Sequence, residues 1–257
     1  MGVREQREEV AALGPFFGFA THPGPSVCPA DGRPAAPWRS MAELVEDPAV
    51  LRDRAEAVRG YLAAGGGQRP EAVELRVGAS VAQLGLAARL VSPAIGFAAL
   101  HGGALVAGLD ELRWQPVLGG GFPLSYPERA VEAALRRPEA GLRETGERLG
   151  AELLDGPVQA LVDATAGLSV SRRVLWGNVA SAVDGAAAAL AATAPGPVAA
   201  RARTLAALLQ RQPALRGASA PGRAGGFRRR SCCLIYRAAP PGAGSARSLC
   251  GDCVLNS

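Results

Sequence analysis

The sequence predicts a mainly α protein of the α+β class: a helical body carrying a small β-hairpin, with a four-cysteine module at its C-terminal end. Three observations lead there. Hydrophobic residues make up 48% of the chain but aromatics only 5%, so the core must be built from Ala, Leu and Val, which favours packed helices over a β-sandwich. The 33 Gly and 20 Pro gather in connections between stretches of helical periodicity. Four of the five cysteines lie in the last 26 residues, behind a segment rich in Gly, Ala, Ser and Pro. At 257 residues the chain is long enough for one large domain or two small ones.

Taken in order, residues 1–14 read as a short helix ending at Gly14-Pro15, and 15–38 as a proline-rich loop. A helical stretch begins near Ser40, with Glu43 in the capping-box position. Asp47-Pro48 restarts it, Asp as cap and Pro at the first helical position, and Gly65-Gly66-Gly67 stops it. The next helix starts near Pro70 and carries Val73, Val77, Val81, Leu84 and Ala88 at helical spacing. Pro93 is expected to break it, with a short helix following to His101. Leu112–Leu118 and Phe122–Tyr126 flank three glycines and read as a hairpin whose prolines suit edge positions. Helices return over roughly 127–137, 139–154, 157–167, 170–193 and 197–211. Gly217–Gly226 reads as a flexible linker, which divides the chain into a helical body over 1–217 and a module over 218–257.

Net charge is +5 and every basic residue is Arg. Acids are interleaved with them, as in Arg52-Asp53-Arg54-Ala55-Glu56, the pattern of a solvated helix face; no nucleic-acid partner is expected. Two apolar stretches, Ala79–Leu100 and Trp176–Ala200, are interrupted by Gln83, Arg89 and Pro93, and by Asn178, Asp184 and two prolines. They read as buried helices rather than bilayer spans. The charged opening residues do not read as a signal peptide. An odd cysteine count without an export signal points to a reducing, cytoplasmic setting and to metal rather than disulfides.

The cysteines form two pairs, Cys232-Cys233 and Cys250-Gly251-Asp252-Cys253, sixteen residues apart. So short a module has too little apolar area to hold itself together, and metal ligation would supply the missing folding free energy. Cys-x-x-Cys is a common ligand turn. Structural zinc sites space each ligand pair by two to four residues, whereas adjacent cysteines diverge and suit a larger, two-iron object. The spacing matches no ferredoxin pattern, so spacing alone leaves iron–sulfur and zinc as alternatives.

The segment Arg229-Arg230-Ser231-Cys232-Cys233-Leu234-Ile235-Tyr236-Arg237, followed by Leu249-Cys250-Gly251-Asp252-Cys253-Val254-Leu255, resembles the C-terminus of FhuF-type ferric siderophore reductases. Leu175-Trp176-Gly177-Asn178 and the Ala-rich stretch after it also resemble that family's helical body. The resemblance implies a [2Fe–2S] cluster on Cys232, Cys233, Cys250 and Cys253, and hence a C-terminal iron–sulfur module. It further implies one-electron reduction of a ferric siderophore, with release of ferrous iron. The family's usual spacer is shorter than the one here. The excess falls in Ala238–Ser245, and lengthening a loop costs only a fraction of a kcal/mol, because closure entropy grows with the logarithm of length.

No P-loop, dinucleotide fingerprint or Ser/His/Asp set accompanies the cysteines. Electrons would therefore come from an external donor, a ferredoxin or a flavoprotein. Peripheral association with a membrane importer of siderophores is compatible with the chain. The alternatives are a non-enzymatic iron–sulfur sensor or carrier and a zinc-stabilised binding module. Arg228, Arg229, Arg230 and Arg237 flank the first pair. They read either as a solvated run compensating cluster charge or as a surface attracting an anionic chelate or acidic donor. Asp252 reads as a turn residue. Cys28 and His22 read as ordinary loop residues rather than a second metal site, His101 as a helix C-terminal cap, and Trp114, Trp176 and Tyr126 as core.

Overall fold

The computed structural model describes residues 2–24, 37–136, 141–222, 226–240 and 249–255. The protein is mainly helical, with a small mixed β-sheet. The helices are α1 (Val3–Ala11), α2 (Glu43–Glu46), α3 (Pro48–Gly65), α4 (Leu75–His101), α5 (Glu128–Arg136), α6 (Leu142–Leu149), α7 (Gln159–Ala166), α8 (Arg172–Thr193) and α9 (Gly196–Gln210). The strands are β1 (Ala20–His22), β2 (Arg39–Ser40), β3 (Arg113–Trp114) and β4 (Leu124–Pro127), then the separate ribbon β5 (Ser219–Pro221) and β6 (Phe227–Arg229).

α4 is the axis of the fold and packs against α3, α8 and α9. Apolar side chains lie on every side of its 27 residues, interrupted by Arg76, Gln83, Arg89 and His101, as suits a helix surrounded by others. Both α4 and α8 are long and apolar enough to cross a membrane by composition; most of the apolar window of each is buried inside the protein. The expected break at Pro93 does not occur: Pro93 lies within α4. A proline deletes one backbone hydrogen bond and crowds the preceding turn, at a cost of about 3 kcal/mol. Here every residue from Arg89 to Ala99 is buried, and that packing outweighs the local defect. Asp47 caps α3 as expected, accepting from the Ala49 N–H at 2.9 Å with Pro48 at the first position. Ser40, by contrast, belongs to β2, and its hydroxyl accepts from the Ala42 N–H.

The expected hairpin is present, Trp114 opposite Leu124. It is extended by two strands from the segment read as loop: β1 runs parallel to β4 and β2 antiparallel to β3, giving the order β1-β4-β3-β2. Strands so short carry no periodicity of their own. Trp114 and Tyr126 are core, and Trp176 is half-buried against it. The helix expected over 139–154 ends at Leu149 and continues as wider π-type turns over Gly150–Val158. Gly156 there leaves the helical region (φ −106°, ψ −111°) immediately before Pro157, whose ring disfavours helical backbone in its predecessor.

Part of the segment read as a flexible linker is ordered: β5 pairs with β6, Ser219 opposite Arg229. The main core reaches Leu215 and Ala218, and Phe227 packs on it. A second small core joins Ala63, Val73 and Val77 of the α3–α4 region to Ala238. The C-terminal segment thus lies against the helical body at two places.

Candidate metal centre at the C-terminal cysteines

β6 delivers the first cysteine pair. Along the extended segment burial alternates: Arg229, Ser231 and Cys233 turn inward, while Arg228, Arg230 and Cys232 are more exposed. This is the two-residue period of a strand lying on a surface. The surface is α8, and the approach is close: a Cβ added at Gly177 would fall 2.1 Å from Ser231 Oγ. That hydroxyl donates to the Arg173 carbonyl at 3.0 Å. Leu234 then takes a left-handed conformation (φ 71°), which reverses the chain into the 3₁₀ turn Ile235–Ala238 and lets the Leu234 N–H donate to Cys232 Sγ at 3.3 Å.

The second pair is held from the other side. The Cys253 N–H donates to the Cys250 carbonyl (3.1 Å), and the Leu255 N–H to Cys253 Sγ (3.4 Å). The Asp252 carbonyl accepts from the Arg229 N–H at 3.1 Å, tying the Cys-x-x-Cys turn to β6. Asp252 Oδ2 accepts from Ser181 Oγ of α8 at 2.5 Å, and Oδ1 meets the Arg229 guanidinium at 3.0 Å. The carboxylate thus anchors the turn to the body, beyond shaping it.

The two halves meet. Cys233 Sγ stands 3.7 Å from Cys250 Sγ, and Cys232 interacts with Cys253. Cys233 and Cys253 are buried; Cys232 and Cys250 are half-buried. In the Cys233–Cys250 contact either sulfur can donate to the other. The hydrogen bond from Cys250, aided by the Arg229 charge, holds Cys233 below the ordinary thiol range, and the same contact pushes Cys250 up. Burial raises Cys232.

Arg229 is the residue that sequence reasoning misplaced by grouping it with a solvated run. It is 1% exposed. Its Nη2 lies 2.6 Å from Cys250 Sγ and its Nη1 donates to Asn178 Oδ1 at 2.9 Å. Burial opposes its charge, but Cys233, Asp252 and Cys250 together hold its pKa above the ordinary arginine value. Arg230 and Arg237 are exposed, as a solvated run would be, and Arg237 pairs with Glu74 at 3.1 Å.

Two thiolates on one tetrahedral metal at about 2.3 Å stand about 3.8 Å apart, so the Cys233–Cys250 separation fits a shared metal. The N–H donors aimed at Cys232 and Cys253 suit thiolates. Among the described residues, no three His, Cys, Asp or Glu side chains converge as donors to a single ion.

Other sequence-marked residues lie elsewhere. His22 is buried in β1, its Nδ1 2.8 Å from Ser125 Oγ; Cys28 falls outside the described residues. His101 ends α4, but Gly102 in the left-handed region supplies the cap, and the His101 ring faces Glu9 at 3.5 Å. An apolar cavity of about 460 Å³ opens between α4, α8 and the Leu13–Phe17 loop. Ser181 lines it and also holds Asp252, so the cavity adjoins the cysteine turn. A larger cavity of about 720 Å³, lined by Val45, Gly108 and Gly156 among others, shares no residue with the cysteine centre. The chain matches no protein-family model and no curated protein sequence.

Proposed function

We propose that this protein reduces ferric siderophores, or similar ferric chelates, one electron at a time through a [2Fe–2S] centre held by Cys232, Cys233, Cys250 and Cys253. One observation carries the reading. A cysteine from each half meets a cysteine of the other, Cys233 Sγ at 3.7 Å from Cys250 Sγ and Cys232 beside Cys253. Two such crossed pairs could supply two thiolates to each iron of a two-iron object, a use that suits adjacent cysteines in the first half. The likeness of these residues to the FhuF-type C-terminus supports the same assignment.

When bound, such a cluster supplies one-electron transfer, and four thiolates give it a net charge of about −2, or −3 when reduced. The chain's residues answer that charge. Arg229 sets a buried cation against Cys250, and the Leu234 and Leu255 N–H groups donate to Cys232 and Cys253. Tyr236 and Leu255, two of the few exposed large hydrophobics among the described residues, flank the cysteines, and Arg230 and Arg237 lie exposed near them. A rim of this kind suits transient docking of an anionic chelate or an acidic donor such as a ferredoxin or flavoprotein. Iron is the substrate: ferric ion takes one electron, and the ferrous product is held less tightly by hard oxygen ligands. In this reading the protein works in the cytoplasm, beside a siderophore importer.

The test is a mixing experiment. Anaerobically reduced protein is mixed with a ferric hydroxamate or catecholate siderophore, and reoxidation is followed in the visible region against the iron-free siderophore. Faster reoxidation with the ferric form, with ferrous iron trapped by a chelator, is expected. Equal rates would leave a carrier or sensor in place of a reductase.

A further inference from the structure

Four arginines surround the first cysteine pair, but only one enters the centre. Arg229 is 1% exposed and reaches Cys250 Sγ at 2.6 Å, Asp252 Oδ1 at 3.0 Å and Asn178 Oδ1 at 2.9 Å. Asn178 is itself fully buried, and its Nδ2 donates to Ser80 O, Ser80 Oγ and Gln83 Oε1. A backbone carbonyl on that side can only accept, so the amide nitrogen must face α4. Its oxygen is thereby aimed at the guanidinium, which can only donate. Ser80 Oγ in turn donates to the Cys233 carbonyl at 2.8 Å. One buried chain of hydrogen bonds, from α4 through α8, therefore ends on both cysteine halves.

We infer that Arg229 sets the reduction potential of the centre and that Asn178 is the positioning residue that holds it there; the inference rests on the [2Fe–2S] reading. Reduction adds one negative charge to the cluster. A cation in contact with a ligand sulfur, buried where solvent screens little, stabilises the reduced form more than the oxidised one. Removing it lowers the potential. Arg230 and Arg237 sit in solvent, where the same charge is screened and worth little. The selectivity of the effect for one arginine among neighbours separates this device from a general basic environment.

The experiment is a redox titration, followed by visible absorption and electron paramagnetic resonance, on the wild type, Arg229→Lys, Arg229→Gln, Asn178→Ser and Arg230→Gln. The presence of the chromophore in the wild type is scored first. Arg229→Gln is expected to titrate at a more negative potential, and Arg229→Lys between it and the wild type, because Lys keeps the charge but not the planar fork. Asn178→Ser should shift the same way, with an altered resonance line shape, and Arg230→Gln should overlay the wild type. An unchanged potential in Arg229→Gln, or an equal shift in Arg230→Gln, overturns the inference while leaving the cluster in place. If Arg229→Gln fails to assemble the centre, the Arg229→Lys and Asn178→Ser titrations decide by the same criterion. A wild-type protein without a chromophore removes the cluster reading itself, a result distinct from the others.

Discussion

Replacing Gly177 by Ala tests how closely the cysteine segment is seated on α8. The added Cβ would lie 2.1 Å from Ser231 Oγ but 3.5 Å from Ser231 Cβ, so the conflict is with the hydroxyl alone. Ser231 must rotate and give up its 3.0 Å bond to the Arg173 carbonyl, leaving a buried hydroxyl unpaired at a cost of about 1–3 kcal/mol. Against this, Ala in a helix interior is better than Gly by about 1 kcal/mol. The single variant should therefore lose about 0–2 kcal/mol. Ser231→Ala alone should lose about 1 kcal/mol. In that background the two methyl groups meet in ordinary contact, so Gly177→Ala should now stabilise by about 1 kcal/mol. The reversal of sign, a coupling of about 2 kcal/mol, is the signature of direct contact. Denaturant unfolding followed by circular dichroism on the four proteins measures it. Additive effects, or stabilisation by Gly177→Ala in the wild-type background, would refute the docking of the Ser231 segment on α8.

Three further outcomes are expected. Arg89, buried in α4, donates to the Phe122, Phe16 and Gly18 carbonyls, so Arg89→Met strands three acceptors and should cost about 3–5 kcal/mol in denaturant unfolding. Burial lowers the pKa of His22 from 6.5. Its contribution to stability is therefore complete above pH 6.5 and lost as pH falls toward the folded value. Unfolding free energies measured between pH 7 and 5 should fall more steeply for the wild type than for His22→Gln, and parallel profiles would contradict this. Cys28→Ser should keep the full metal content of the wild type, whereas Ser at Cys232, Cys233, Cys250 or Cys253 should lose it, as metal analysis after anaerobic purification would read.

Much of the helical body is legible in local signals. Asp47-Pro48, the glycines after Ala64 and the apolar spacing of α3, α4 and α8 act within a turn or two of themselves. Pro93 misleads for the same reason: its cost is local, while the burial that overrides it draws on helices such as α8 and α9, which pack on α4 from far away in sequence. β1 and β2 are invisible because two or three residues have no period, and their partners lie many residues downstream. At the centre, the cysteines declare themselves by type and spacing, but Ser80, Asn178 and Arg229 do not. Ser80 is 153 residues from Cys233, and Asn178 is 51 from Arg229. One signal was present: in Arg229-Arg230-Ser231-Cys232-Cys233, a two-residue period places Arg229 on the side of Ser231 and Cys233. Read as a strand rather than a charge run, it marks Arg229 as the inward arginine.

In the proposed centre, four thiolates from two separate pairs hold a two-iron cluster. Anaerobic purification followed by iron, sulfide and zinc analysis tests it most directly, together with electron paramagnetic resonance of the dithionite-reduced protein. The expected result is a coloured protein with about two irons and two sulfides per chain and a paramagnetic signal that appears only on reduction. A colourless protein carrying one zinc and no sulfide would contradict it.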